Sequence, residues 1–271
     1  MGRNWIRILK EMAGDVYGSV KPLVGTERSR KPVGVGASGD VTRQIDAVAE
    51  GVIVKYLERN RIPCTLIGEE CGVRKIGESP EAYIIVDGID GTTNAMRGIR
   101  FACTSIAVAR RDRLDSIEAA VVMRLDDGGT YTAEKGGRAE YNGEKISPSE
   151  VRSLKEAVIA IDISRSPENI DRITPLMKTA SHVRCLGSSA LEICQVSSGQ
   201  LDAYVDVRGK LRTTDLAAAI LVLREAGGSI LQPDGEELKN VPLTLVSRFS
   251  LIAAANRELF QEIASKITDR G

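Results

Sequence analysis

Trp5, Ile8, Leu9, Met12 and Val16 recur at helical spacing, so the chain opens on an amphipathic helix. The stretch 21–39 is rich in Gly, Pro, Ser and basic residues, which predicts a mobile loop. From Thr42 the helical period returns through Ile45, Val48, Val52 and Tyr56 and runs to residue 59. Short apolar runs at 63–67 and 82–86, bounded by turn residues, predict buried strands. Further β-type runs lie at 104–109, 117–123 and 130–133. Asp127-Gly128-Gly129 and Asn142-Gly143 supply hairpin turns among them, which implies antiparallel pairing.

After Pro148 strands and helices alternate. Residues 157–161 and 183–186 predict strands, while 188–196 and 215–225 predict helices. Gly227-Gly228 ends the second helix, because glycine accepts the left-handed cap conformation. A last strand at 251–255 leads to Asn256, the expected cap of a terminal helix reaching 267. The pattern gives an α+β fold in two halves. A largely antiparallel α+β half spans residues 1–155, and it packs on an α/β half spanning 156–271.

Composition narrows the function classes. With 42% hydrophobic and 27% charged residues, a chain of 271 can bury a core without disulfides or structural zinc. Lys plus Arg and Asp plus Glu both total 37, which argues against a long nucleic-acid track. The 5 cysteines are scattered and form no Cys-x-x-Cys pair, so a zinc ribbon is excluded and reduced thiols are expected. The longest apolar run, 216–223, is far below the roughly 18 residues that span a membrane. The N-terminal stretch leads into a periodic helix rather than an apolar signal core, so a cytoplasmic protein is expected. The single histidine, His182, removes His-based metalloproteases and histidine phosphatases, and no Gly-x-Ser-x-Gly elbow accompanies it. It is expected to be a partly buried strand residue beside Val183. Catalysis must then rest on carboxylates, hydroxyls and bound metal.

The densest chemistry is Asp87-Gly88-Ile89-Asp90-Gly91-Thr92-Thr93-Asn94, at the end of an apolar strand. Two carboxylates at such close range repel unless a divalent cation joins them. Gly91-Thr92-Thr93 can start a helix whose free N–H groups and hydroxyls suit a phosphate. An EF-hand is excluded, since position 12 counted from Asp87 is Gly98. Three acidic companions follow the same logic: Gly68-Glu69-Glu70 after a strand, Thr213-Thr214-Asp215 at a helix start, and Asp40-Val41-Thr42 with Asp46. Each alone reads equally as a turn or a cap.

Together with Leu216-Ala217-Ala218 and Glu225-Ala226-Gly227-Gly228, this set resembles the inositol monophosphatase and fructose-1,6-bisphosphatase superfamily along nearly the whole chain. The resemblance implies a layered αβαβα sandwich and two or three Mg2+ ions, with Mn2+ able to substitute. It implies Glu69, Asp87 and the Ile89 carbonyl as ligands of one ion, and Asp87, Asp90 and Asp215 as ligands of a second, with Glu70 nearby. It also implies that Thr92 and Glu69 orient the attacking water and that Asp46 hydrogen-bonds Thr92. A homodimer acting on small phosphate esters is expected from the same resemblance. Gly88 and Thr214 depart from the family's usual Pro and Trp, but no ligand is lost.

Specificity is expected from the second half. Arg184, Ser188 and Ser189 resemble the segment that closes over the sugar or inositol ring, where phosphate-side contacts come from Asp90, Gly91, Thr92 and Thr93. Arg208 stands where an inositol-specific enzyme has an acid, and its planar fork suits a second phosphate. The expected substrates are therefore fructose 1,6-bisphosphate and inositol 1-phosphate. A nucleotide phosphatase acting on adenosine bisphosphate or NADP is the rival within the fold. A non-catalytic binding protein is the rival of another class.

Overall fold

The computed structural model describes residues 3–37, 39–244 and 247–267, so Met1 and Gly2 of the N-terminal stretch lie outside them. Helices α1 (Trp5–Val20) and α2 (Gln44–Arg59) flank a two-stranded ribbon, β1 (Pro32–Val35) and β2 (Val41–Arg43). The ribbon corrects part of the expected loop. Its valines stay exposed, so apolar periodicity carries no trace of it.

The chain then lays down β3 (Cys64–Gly68), β4 (Gly72–Ile76), β5 (Tyr83–Asp90), α3 (Thr92–Arg97), β6 (Cys103–Ala109) and β7 (Ile117–Arg124). β8 (Thr130–Glu134), β9 (Ala139–Tyr141) and β10 (Glu144–Lys145) complete an eight-stranded sheet ordered β10-β9-β8-β7-β6-β5-β3-β4. Every neighbouring pair is antiparallel except β3 and β5, which run parallel.

The second sheet draws on β11 (Val158–Ile161), α4 (Ile170–Thr179), β12 (His182–Arg184), α5 (Ser189–Ser197) and β13 (Ala203–Leu211). It is completed by α6 (Thr213–Ala226), β14 (Ser229–Leu231), β15 (Phe249–Ala254) and α7 (Arg257–Lys266). Its order is β12-β11-β13-β15-β14, with β11 parallel to both neighbours. His182 lies in β12 as expected, but exposed.

Five layers result. α1 and α2 cover one face of the larger sheet, while α5 and α6 lie between the two sheets. α7 packs on the outer side of the second sheet, with α4 against it. The α+β class and the layered sandwich follow. Strand alternation feeds the layers: Ile84 joins the core under α1 and α2, and Ile85 joins the core around α6. α6 is buried along 11 of its residues because sheet lies on both sides, so its apolar surface runs all round. Asn256 caps α7 by accepting from the Leu259 N–H at 2.9 Å, and Gly227 ends α6 at φ +99°, both as expected.

Candidate metal centre and active site

The site is built where four chain segments end. β5 carries Asp87 almost to the sheet's edge, and its pairing with β6 slips between Asp87 and Asp90. That bulge changes the alternation of strand faces, so the two aspartates are placed separately. Asp87 is 3% exposed, and its Oδ1 accepts the Ile89 N–H at 3.0 Å. Gly91 then takes φ +89°, a left-handed conformation, and a Cβ there would meet Phe101 O at 3.0 Å. Glycine is required at this position on both counts.

Glu69 follows the end of β3, and Asp215 sits in the first turn of α6. Ligand atoms of Glu69, Asp87 and Asp215 all lie within 4.8 Å of one another. A narrow cleft beside them is lined by Asp46, Glu50, Glu69, Glu70, Asp87, Gly88 and Ile89. An all-oxygen donor set of this kind fits a hard divalent cation. Burial and the surrounding acids push the Glu69 carboxyl up to about 8, against the pull of Arg212. Burial, together with Glu69, Asp90 and Asp215, drives Asp87 well above the usual carboxylate range. Such a cluster strongly prefers an added cation to three bare charges.

Asp90 lies outside that trio. Its Oδ2 accepts from Ser188 Oγ and from the Ala190 N–H, each at 2.7 Å, so it is tied to the start of α5. Burial lifts its carboxyl to about 6 despite these bonds.

Thr92 is brought to Asp46 as the resemblance implied. Thr92 Oγ is 3.0 Å from Asp46 Oδ1 and 3.0 Å from the Ile89 carbonyl, and its one proton serves one of these acceptors at a time. Asp46 also accepts the Arg43 N–H at the start of α2, and burial raises its carboxyl to about 7. Thr93 is exposed at the start of α3.

The specificity residues are arranged differently from expectation. Ser188 and Ser189 are buried, with Ser188 turned to Asp90 and Ser189 Oγ 2.8 Å from the Tyr204 hydroxyl. Neither hydroxyl points outward to a ring. Arg184 is exposed. The expectation of a free Arg208 fork needs correction. Its Nε lies 3.1 Å from both Asp206 oxygens, its Nη2 2.6 Å from Asp162 Oδ2, and its Nη1 3.2 Å from Ser164 O. An acid two residues earlier on the same strand, and another contributed by the stretch after β11, take up the fork.

Three working residues escaped the sequence reading. Glu50 accepts the Glu70 and Cys71 N–H groups at 2.9 and 2.8 Å, which fixes the acidic loop; its spacing of four from Asp46 places both on one helix face. Glu192, fully buried, accepts the Leu186 and Ser188 N–H groups at 3.2 Å each. Arg212, three residues before Asp215, reaches Glu69 Oε1 at 2.7 Å. An acid–arginine pair at that spacing beside a helix start is a legible signal.

Comparison with known proteins follows the same lines. The model of the inositol monophosphatase family matches residues 4–271. The fructose-1,6-bisphosphatase/inositol-1-monophosphatase of Methanothermobacter thermautotrophicus is 37% identical over 268 residues, covering 96% of this chain and 95% of that protein. The bifunctional NADP phosphatase/NAD kinase of Methanococcus maripaludis is 36% identical over 273 residues, covering 93% of this chain but 47% of that longer protein. The crystal structure of an inositol monophosphatase-fructose 1,6 bisphosphatase superposes with a TM-score of 0.86 at 30% identity, covering 97% of this chain and 100% of that one.

Proposed function

The chain belongs to the inositol monophosphatase family of phosphoric monoester hydrolases, and on that premise we propose that it hydrolyses fructose 1,6-bisphosphate and inositol 1-phosphate with magnesium. The observation that carries this reading is the Glu69–Asp87–Asp215 cluster standing beside the Thr92–Asp46 pair. The family is metal-dependent, and the choice of Mg2+, two or three ions with Mn2+ able to replace them, is our reading of the all-oxygen donors.

Glu69, Asp87 and Asp215 would hold the ions, with Asp90 and the Ile89 carbonyl completing the set. Bound magnesium supplies Lewis acidity, easing deprotonation of water and neutralising phosphoryl charge. Thr92, oriented by Asp46, would hold the attacking water through its hydroxyl oxygen, and Glu69 would take a proton from that water. Gly91 and Thr93 would present N–H and hydroxyl donors to the phosphate. The products are fructose 6-phosphate or inositol, and inorganic phosphate.

We take Arg184, exposed at the end of β12, as the candidate for a distal phosphate, since Arg208 would have to release Asp162 and Asp206 first. The NADP phosphatase among the relatives favours a second reading, a nucleotide phosphatase of the same fold. A panel of fructose 1,6-bisphosphate, inositol 1-phosphate, 3′-phosphoadenosine 5′-phosphate and NADP, compared by kcat/KM, separates the two. No turnover of any of them with magnesium present would leave a non-catalytic binding protein. A homodimer and a cytoplasmic setting belong to the same proposal, and sedimentation tests the first. So does the division into halves 1–155 and 156–271, which limited proteolysis between β10 and β11 probes.

A further inference from the structure

The carboxylate cluster has a cation of its own. Arg212 stands at the passage from β13 into α6, with its side chain 18% exposed. Its Nη1 is 2.7 Å from Glu69 Oε1, and its Nη2 is 3.2 Å from Asp215 Oδ1. The Nε lies 3.4 Å from Asp215 Oδ2, an oxygen that also accepts the Arg212 backbone N–H at 2.9 Å. Nη1 also lies 3.8 Å from Asp40 Oδ2, so it faces two acids. The guanidinium thus bridges an acid after β3 and an acid on α6, elements far apart in the chain.

We propose that Arg212 is a built-in counter-ion that holds Glu69 and Asp215 together in the absence of a divalent ion and raises the ion concentration needed to load the site. This rests on reading the cluster as a metal centre. The reasoning is one of charge. Glu69, Asp87 and Asp215 bring three carboxyls within 4.8 Å of one another, and the Arg212 guanidinium lies against two of them. A divalent ion seated among the same oxygens meets the arginine's charge at short range and is repelled by it. Arginine cannot shed its proton to relieve that conflict, so the competition persists at every working pH. Removing the charge therefore acts in two opposite directions. The unloaded cluster repels itself more, and the loaded cluster binds its ion more tightly. A purely structural arginine would weaken both states alike.

The test titrates Mg2+ calorimetrically into chelator-stripped wild type, Arg212→Gln and Arg212→Lys, and melts the same samples with and without saturating Mg2+. Arg212→Gln should bind Mg2+ about tenfold more tightly. It should melt about 4 °C below wild type without the ion and within about 1 °C of it when saturated. Arg212→Lys keeps the charge and should bind Mg2+ no more tightly than wild type. For a variant that unfolds on stripping, chelator competition starting from loaded protein gives the same constant. Equal or weaker Mg2+ binding by Arg212→Gln overturns the proposal, as does an equal loss of melting temperature in both states. Weaker binding of inorganic phosphate at unchanged Mg2+ affinity makes Arg212 a phosphate ligand and overturns it too. A wild type that takes up no Mg2+ overturns the metal reading itself, which is a different result from wild-type binding without tightening in the variant.

Discussion

Two buried clusters in this protein are made of the same residue types, and their charge balance sets them apart. In the second half Asp162 and Asp206 share Arg208, whose Nε, Nη1 and Nη2 all have partners. Burial raises the Asp206 carboxyl while Arg208 pulls it back. At the end of β5 Glu69, Asp87 and Asp215 share Arg212, with Asp46, Glu50 and Glu70 lining the adjoining cleft. Here three acids face one arginine, against two in the other cluster, and Asp87 has no salt-bridge partner among the described residues. A near-balanced, fully bonded cluster is an anchor. One with surplus carboxylates is a candidate ion site.

The sharpest way to break this contrast is Asp87→Asn, which keeps the shape and removes the most buried charge of the surplus cluster. We expect kcat/KM with Mg2+ to fall about ten-thousandfold, because several kcal/mol of charge stabilisation depend on the bound ions. Turnover near the wild-type rate would remove the metal reading.

Arg208→Ala strikes the other cluster. It leaves Asp162 and Asp206 buried without their cation, which should cost about 3 kcal/mol in a denaturant melt. The ratio of activities on fructose 1,6-bisphosphate and inositol 1-phosphate should not move. A tenfold drop confined to the bisphosphate, at unchanged stability, would instead show Arg208 leaving its acids for a second phosphate.

Thr92→Ala tests what the surplus cluster works on. We expect kcat to fall about a hundredfold with KM nearly unchanged, since alignment of a nucleophile matters mainly in the transition state. A change in KM alone would make Thr92 a phosphate or capping residue.

The smallest effect is on stability against pH. Glu69 and Asp46 are raised to about 8 and about 7, above their unfolded values near 4, so the folded state holds their protons longer. Their contribution to stability is fully present below pH 4 and is lost as pH rises through 7 and 8. In excess chelator the melting temperature should therefore fall between pH 5 and 8.5. With saturating Mg2+ the decline should vanish, because ion binding takes over from the protons. A chelated protein that gains stability across this window would show that these acids are not raised.

Much of the scaffold was legible along the chain. Apolar periodicity marked α1, α2, α5, α6 and α7 and the strands β3 and β5 to β8. Caps such as Asn256 and Gly227 could be named because capping needs only a few neighbouring residues. α4 and β13 have no counterpart in the expectations, although both carry a pattern: Ile170, Ile173 and Leu176 recur at helical spacing in α4, around Pro175, and Val205 and Val207 alternate with Asp206 and Arg208 in β13, a run read for its arginine and not for its strand period.

By itself the sequence determined which acids stand at strand and helix ends, because local backbone turns place Glu69, Asp87, Asp90 and Asp215 there whatever packs around them. Only the tertiary structure decided which of those acids meet and which cation each one finds. Asp90 went to Ser188 and Ala190, 98 and 100 residues away, and Arg212 to Glu69, all across the two chain halves, while Arg208 went to Asp162 within the second half. The physical reason is that a buried charge takes the nearest partner in space, and in this fold α6 between the two sheets sets what is near.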